Sequence, residues 1–190
     1  MWTVPNLLTL GRLIAAPCVL LAFALAPRPA ADWIALILFV MAALTDWLDG
    51  RLARAWDQHS GFGRMLDPIA DKAMTLIALS ALLGLHGPQF WLAAPVAVIV
   101  LRETAVAGLR EYLKGAEIVS VTALAKWKTT AQLGAIAVLL AAAPLGDAAW
   151  VFWPGVALLW LAAALTAITG WDYFSRGLAH ISAEEVRKER

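Results

Sequence analysis

Four aspartates stand in one short stretch of this chain, with apolar segments on both sides. Asp46 and Asp49 are three residues apart, and Asp67 and Asp71 are four residues apart. On an α-helix, either spacing places both side chains of a pair on the same face. The chain between the two pairs is short enough to form a tight hairpin of two helices. Such a hairpin can direct all four carboxylates into one pocket.

Carboxylates this close together repel one another and cannot all stay ionised without cations. A pair of divalent metal ions removes the repulsion, and hard oxygen ligands suit Mg²⁺, Mn²⁺ or Ca²⁺. The alternative is a helical hairpin whose acidic residues face solvent. The apolar flanks count against it, because little solvent is available at that depth and acids inside a membrane are costly. We therefore predict a metal site formed by Asp46, Asp49, Asp67 and Asp71.

Small residues and an arginine accompany the aspartates. Gly50 and Gly63 lack a Cβ and allow backbone or ligand to approach closely. Ala53 leaves room one turn after Gly50, and Arg54 is placed to reach a phosphate bound near the metals. The whole pattern is Asp46-x-x-Asp49-Gly50-x-x-Ala53-Arg54, eight further residues, and then Gly63-x-x-x-Asp67-x-x-x-Asp71.

The composition that surrounds this pattern is that of an integral membrane protein. Of the 190 residues, 62% are hydrophobic and only 15% are charged, whereas a soluble domain is about a quarter charged and roughly half apolar. The net charge of +1 gives no support to nucleic-acid binding. The single cysteine, Cys18, excludes an intrachain disulfide.

Six apolar runs are each long enough to cross about 30 Å of hydrocarbon, which takes about 20 residues. We predict an all-α, polytopic membrane protein with about six transmembrane helices and a short N-terminal interfacial helix. The aspartate pairs fall at the end of the second span and the start of the third. The predicted spans are 7–26, 32–56, 62–85, 90–113, 122–143 and 149–174.

Lysine and arginine are distributed unevenly between the two sides of this predicted bundle. They surround the loop between the second and third spans, the loop between the fourth and fifth spans, and the C-terminus. Arg28 alone lies on the opposite side. Because cytoplasmic loops carry an excess of basic residues, we predict that both termini and the aspartates face the cytoplasm.

A second polar group lies in the fourth and fifth predicted spans and is basic. It consists of Arg102 and Arg110, followed by Lys126 and Lys128, on the same predicted side as the aspartates. These residues predict an anion site, and phosphate suits both the planar fork of arginine and the point charge of lysine. The alternative is that they anchor the protein to anionic lipid head groups. Arg102 lies deeper than the others, where we expect it to pair with Glu103 or with an aspartate.

The aspartate pattern resembles the signature of the CDP-alcohol phosphotransferases, the integral membrane enzymes of phospholipid head-group synthesis. All eight signature residues are present at the spacing of that family. The opening from Pro5 to Arg12 matches a pattern common in one branch of it. Three softer segments resemble the branch that makes phosphatidylglycerophosphate, and they read DPIADK, RETAVAGLREYLK and AKWKTTAQ. In all, the resemblance reaches from Pro5 to about Gln132.

The resemblance implies an enzyme that transfers a phosphatidyl group from CDP-diacylglycerol to the hydroxyl of glycerol 3-phosphate and releases CMP. Two Mg²⁺ or Mn²⁺ ions would hold the donor diphosphate. Asp71 would be the catalytic base as well as a metal ligand, although a ligand role alone stays open. The donor nucleotide site would contain Asp49, Gly50, Ala53, Arg54, Gly63 and Asp67. The acceptor phosphate would be held by Arg102, Arg110, Lys126 and Lys128.

The resemblance also implies an organisation and a location. Residues 1–176 would form a single membrane domain, and residues 177–190 would be a charged C-terminal tail. The protein would lie in the bacterial cytoplasmic membrane as a homodimer, in contact with membrane lipids and with no nucleic-acid partner.

Two other functions stay open at this point. One keeps the chemistry and changes the acceptor to inositol phosphate, serine or another lipid alcohol. Several basic residues favour a phosphorylated acceptor over serine, but they do not separate glycerol phosphate from inositol phosphate. The other is a cation transporter that uses the acids as an ion path. The absence of paired broken helices and the phosphate features at Gly50 and Arg54 count against it.

Overall fold

The computed structural model describes residues 3–55, 60–113 and 123–188, with the side chains of residues 49–50, 52–55, 123, 125–126 and 183–188 left out. The described residues form six α-helices and one short 3₁₀ helix, with no strand among them. The α-helices are α1 (Val4–Leu25), α2 (Ala30–Ala55), α3 (Gly61–His86), α4 (Phe90–Tyr112), α5 (Ala123–Ala142) and α6 (Ala149–Lys188).

All six helices are long and apolar enough to cross a membrane. The prediction of an all-α protein with about six spans is therefore confirmed, and most helix bounds agree with it within a few residues. The expected interfacial helix and the first span form one continuous helix, α1. The last helix continues through Lys188 instead of ending near residue 174. The division into a domain and a tail stays a prediction.

The first helix changes character along its buried face. Its buried residues recur at helical spacing, and they are polar near the N-terminus and apolar further on: Asn6, Thr9 and Arg12, then Ala16, Val19 and Ala22. This helix packs extensively against both α2 and α3, whereas α2 and α3 contact each other only slightly. The tight hairpin expected of α2 and α3 is thus a three-helix unit. Small alanine side chains on the facing surfaces allow this close packing.

The remaining helices complete the bundle and bring Lys128 of α5 to the same cavity as Asp71 of α3. α6 packs against both α4 and α5, and α5 also contacts α2 and α3. Leu139 of α5 packs against Gly155 of α6, where a Cβ would lie 2.9 Å from the leucine side chain. The larger core side chains include Phe39, Leu79 and Leu82. Because α5 touches the aspartate-bearing helices, its polar N-terminal part lies beside α3.

Polar contacts join the connecting turns at the end of the bundle away from the aspartates. Arg28 pairs with Asp32 at 3.0 Å and donates to the carbonyl of Ala143 at 3.4 Å. The Nδ1 atom of His86 lies 3.3 Å from the carboxylate of Asp147. These contacts connect the α1–α2 turn and the end of α3 to the turn between α5 and α6.

Candidate active site

Two of the predicted acids meet at one cavity, which we call the carboxylate cavity. Asp46 from α2 and Asp71 from α3 both line it. Asp46 is half-buried and Asp71 is exposed, so both carboxylates are accessible to a ligand. Arg12 of α1 is buried, and its guanidinium forms an ion pair with Asp46. The complete lining consists of Arg12, Ala42, Ala43, Asp46, Asp71, Met74, Thr75 and Leu133.

The third described aspartate, Asp67, lies one turn before Asp71 on α3. Its carboxylate accepts a hydrogen bond of 2.7 Å from the hydroxyl of Thr9. Thr9 is buried within the polar part of α1, whereas Asp67 is exposed. Through Thr9 and Arg12, the first helix therefore holds an aspartate of each of the two neighbouring helices.

The start of α3 is fixed by a third residue of α1. Ser60 caps this helix, since its hydroxyl accepts a hydrogen bond of 2.9 Å from the backbone N–H of Gly63. The side-chain amide of Asn6 donates to the same hydroxyl at 2.8 Å. A Cβ at Gly63 would lie 2.5 Å from Oδ1 of Asn6, so any larger residue would displace the Asn6 side chain. The contact with α1 thus gives Gly63 a packing role, whatever it does at the nucleotide.

Sequence reasoning did not assign partners to these three residues of α1. A signal was present, because Asn6, Thr9 and Arg12 are spaced by three residues and share one helix face. The spacing does not say which helices that face contacts. Only the packing of α1 against both α2 and α3 turns the polar stripe into a support for the aspartates.

A second cavity, which we call the lysine cavity, shares Asp71 and Thr75 with the first. Lys128 of α5 is buried beside it, with its ammonium 2.5 Å from the carboxylate of Glu103. The guanidinium of Arg102 lies 2.8 Å from the same carboxylate oxygen, so the predicted pairing of Arg102 with Glu103 is confirmed. The complete lining is Asp71, Lys72, Thr75, Leu76, Glu103, Lys128, Thr129 and Gln132.

The predicted acceptor residues are placed differently from one another. Lys128 lines the lysine cavity, and Arg102 lies behind it through their common partner Glu103. Arg110 is exposed, and its guanidinium lies 5.9 Å from the ring centroid of Tyr173 on α6. The structure does not describe the side chains of Asp49, Ala53, Arg54 and Lys126 or the surroundings of Gly50, so these predictions lie outside what it describes.

Comparison with known proteins identifies the family of this chain. The family described as CDP-alcohol phosphatidyltransferase matches residues 2–168. The chain belongs to this family. The resemblance of the aspartate pattern is thereby confirmed, and so is the reading of the chain as an enzyme of the CDP-alcohol phosphotransferase type.

Relatives of this CDP-alcohol phosphotransferase match it over nearly their full length. A CDP-diacylglycerol–glycerol-3-phosphate 3-phosphatidyltransferase of Cereibacter sphaeroides is 46% identical, covering 97% of this chain and 99% of the relative. The enzyme of the same name from Escherichia coli K12 is 39% identical, covering 95% of this chain and 97% of the relative. One from Salmonella choleraesuis is also 39% identical, covering 92% and 94% respectively.

Enzymes of this family are generally metal-dependent, and the donor set at the carboxylate cavity fits a hard divalent cation. Carboxylate oxygens from two helices face one cavity, and such oxygens are the ligands that Mg²⁺ prefers. Among the side chains that the structure describes, no three acids or histidines lie close enough to hold one ion. The side chain of Asp49, the remaining predicted ligand, is not among those that the structure describes.

Proposed function

We propose that this chain transfers the phosphatidyl group of CDP-diacylglycerol to glycerol 3-phosphate, which yields phosphatidylglycerophosphate and CMP. The observation that carries the proposal is the pair of adjoining cavities that share Asp71. One presents carboxylates from two helices, and the other presents the buried ammonium of Lys128. The full-length relatives that bear the name of this activity support the same substrates.

The carboxylate cavity supplies the donor side of the reaction. Its lining has two carboxylates and one cation, Arg12, so the fixed charge is negative and favours a bound cation. We assign Asp46, Asp49, Asp67 and Asp71 as ligands of two Mg²⁺ or Mn²⁺ ions. When bound, the ions polarise the phosphoryl oxygens and neutralise the charge of the leaving CMP. The nucleotide would lie along Gly50, Ala53, Arg54 and Gly63.

The acceptor side lies at the lysine cavity. We assign the ammonium of Lys128 to the phosphate of glycerol 3-phosphate, with Arg102 adding positive charge from behind Glu103. Arg110 and Lys126 belong to the same proposed basic group. A phosphate held there leaves the acceptor hydroxyl free to approach Asp71, which lines both cavities.

Asp71 is the residue to which we assign proton removal. As the hydroxyl oxygen of the acceptor bonds to the phosphorus that carries diacylglycerol, the bond from that phosphorus to the CMP oxygen breaks. The carboxylate of Asp71 takes the hydroxyl proton. Asp71 lines both cavities, and this supports the assignment, because a general base must lie within reach of the acceptor hydroxyl.

An acceptor panel tests the proposal directly. Purified protein in detergent would receive CDP-diacylglycerol, Mg²⁺ and one of glycerol 3-phosphate, inositol phosphate or serine, and both CMP and the lipid product would be measured. We expect metal-dependent CMP release with glycerol 3-phosphate. CMP release with inositol phosphate alone would show that inositol phosphate, and not glycerol 3-phosphate, is the acceptor. Absence of CMP with every acceptor would overturn the proposed function.

We further propose that the protein lies in the bacterial cytoplasmic membrane as a homodimer, with the active site facing the cytoplasm. The asymmetry of lysine and arginine supports this orientation. In a Cys18→Ala background, Gly61→Cys at the aspartate end should resist a membrane-impermeant thiol reagent in intact cells. Gln89→Cys, between α3 and α4, should be labelled. Both positions are exposed, so the reversed labelling pattern would overturn the orientation.

A further inference from the structure

The buried carboxamide of Gln132 is a polar group that the reaction described so far does not use. Gln132 lies on α5, one turn after Lys128, and only 5% of its surface is exposed. It lines the lysine cavity together with Asp71. Within the part of the chain that the structure describes, its Oε1 atom is buried and has no hydrogen-bond partner. Because a buried acceptor left unpaired costs free energy, this oxygen points to a ligand of the cavity.

The chemistry of this oxygen limits what the ligand group can be. An amide oxygen only accepts hydrogen bonds, so its partner must carry an O–H or an N–H. The ionised phosphate of an acceptor has oxygens that accept as well, and it suits Lys128 instead. The reacting hydroxyl faces Asp71 in the proposed function. The carboxylate of Glu103 is already paired with Arg102 and Lys128.

One group of glycerol 3-phosphate is then left to match, its C2 hydroxyl. We propose that Gln132 is a specificity-determining residue that accepts a hydrogen bond from this non-reacting hydroxyl. The inference rests on the proposed function, since it requires a hydroxylated phosphate as acceptor. It states in addition that the enzyme distinguishes glycerol 3-phosphate from propane-1,3-diol monophosphate, which keeps the phosphate and a terminal hydroxyl but lacks the C2 hydroxyl.

The test compares these two acceptors in the wild type and in variants of α5. Steady-state CMP release gives kcat/KM for each acceptor at saturating CDP-diacylglycerol. We expect the wild type to prefer glycerol 3-phosphate about tenfold, the effect of one hydrogen bond. Gln132→Leu and Gln132→Met, which keep the apolar bulk and remove the acceptor atom, should bring the ratio close to one. Thr130→Val, an exposed position on the same helix that does not line the cavity, should keep the wild-type ratio.

The ratio of the two kcat/KM values separates recognition of the C2 hydroxyl from a packing role of Gln132. General damage to the fold would lower kcat/KM for both acceptors and leave their ratio unchanged. An unchanged preference in both Gln132 variants would overturn the proposal. A wild-type ratio near one would overturn it without any variant, so the test does not depend on the variants folding. A wild type that releases no CMP with either acceptor would instead overturn the proposed function.

Discussion

Two polar clusters lie at the same end of the bundle and share Asp71, but they favour opposite ligands. The carboxylate cavity sets Asp46 and Asp71 against the single cation Arg12. The lysine cavity has two carboxylates, Asp71 and Glu103, and two lysines, of which Lys128 is buried. The guanidinium of Arg102, paired with Glu103, gives this cluster one positive charge in excess. The first therefore attracts a cation and the second an anion. One aspartate common to both keeps the two ligands adjacent, as transfer from a metal-bound diphosphate to a phosphorylated alcohol requires.

The clusters also differ in how the chain builds them. The acids come from one continuous stretch, and two helical spacings bring them together. The basic cluster joins residues of α4 and α5, with Glu103 held between Arg102 and Lys128 across the helix interface. The acidic cluster is therefore set by the spacing of residues in the sequence, whereas the basic cluster depends on how α4 and α5 are packed in the bundle. Substitutions in the two clusters should accordingly change different kinetic constants.

The largest effect is expected at the aspartates that we assign as metal ligands. Asp46→Asn or Asp67→Asn removes one charge and keeps the size of the side chain, so the site loses electrostatic stabilisation of the phosphoryl transfer. We expect kcat to fall by about 10²–10³-fold, the loss typical of removing one preorganised group from such a site. Removal of divalent metal with EDTA should abolish CMP release, and added Mg²⁺ should restore it.

The matched control for these variants is Asp172→Asn on α6. Its carboxylate forms an exposed ion pair with Arg176, 3.0 Å apart, and neither residue lines either cavity. This variant should keep wild-type turnover, because exposed ion pairs contribute little. Full turnover in metal-free protein would contradict the two-metal assignment and would remove the contrast between the two clusters.

An intermediate effect is expected in the lysine cavity. Lys128→Gln removes the buried charge assigned to the acceptor phosphate. A charge-assisted hydrogen bond contributes about 1.5–3 kcal/mol, roughly a ten- to hundredfold change at about 1.4 kcal/mol per decade. KM for glycerol 3-phosphate should rise by that factor, while KM for CDP-diacylglycerol changes little. Steady-state kinetics in neutral detergent, with each substrate varied in turn, measures both constants.

Substitutions of two arginines provide comparisons for Lys128→Gln. Arg110→Gln should have a smaller effect than Lys128→Gln, because Arg110 is exposed and lies against Tyr173. Arg176→Gln, on the exposed surface, is the control for loss of positive charge alone. If all three variants left both constants near wild type, the basic residues would only anchor the protein to anionic lipid. A change confined to the CDP-diacylglycerol constant would move Lys128 to the donor side.

The sequence predicts the helices and the acids more completely than it predicts the neighbours of those acids. Helix length and the spacing of Asp46, Asp67 and Asp71 follow from local pattern, since apolar runs and i, i+3 or i, i+4 pairs are properties of single helices. The partner of Arg12 does not follow, because an arginine in an apolar run has no visible target until α1 is packed on α2. The role of Gln132 does not follow from the sequence either, because only the packed helices show that its Oε1 atom is buried in a cavity without a hydrogen-bond partner among the described residues.

The smallest effect is expected at the hydrogen bond from Thr9 of α1 to Asp67 of α3. Thr9→Val keeps the shape of the side chain and removes the 2.7 Å hydrogen bond to the carboxylate. Because Asp67 is exposed, water replaces the lost donor, and the net loss should be that of one ordinary hydrogen bond, about two- to tenfold. We expect the Mg²⁺ concentration needed for half-maximal activity to rise by this factor, since the carboxylate is held less firmly toward the metal.

A threonine of α4 provides the comparison for this last variant. The hydroxyl of Thr104 donates to the carbonyl of Val100 within its own helix at 2.9 Å, on an exposed face. Thr104→Val therefore removes a hydroxyl of the same kind without touching an acid, and the metal requirement should stay at the wild-type value. Equal metal curves for Thr9→Val and Thr104→Val would mean that α1 only packs beside the aspartates. A shift in Thr9→Val alone would make the first helix a part of the metal site, although its sequence contributes no carboxylate to it.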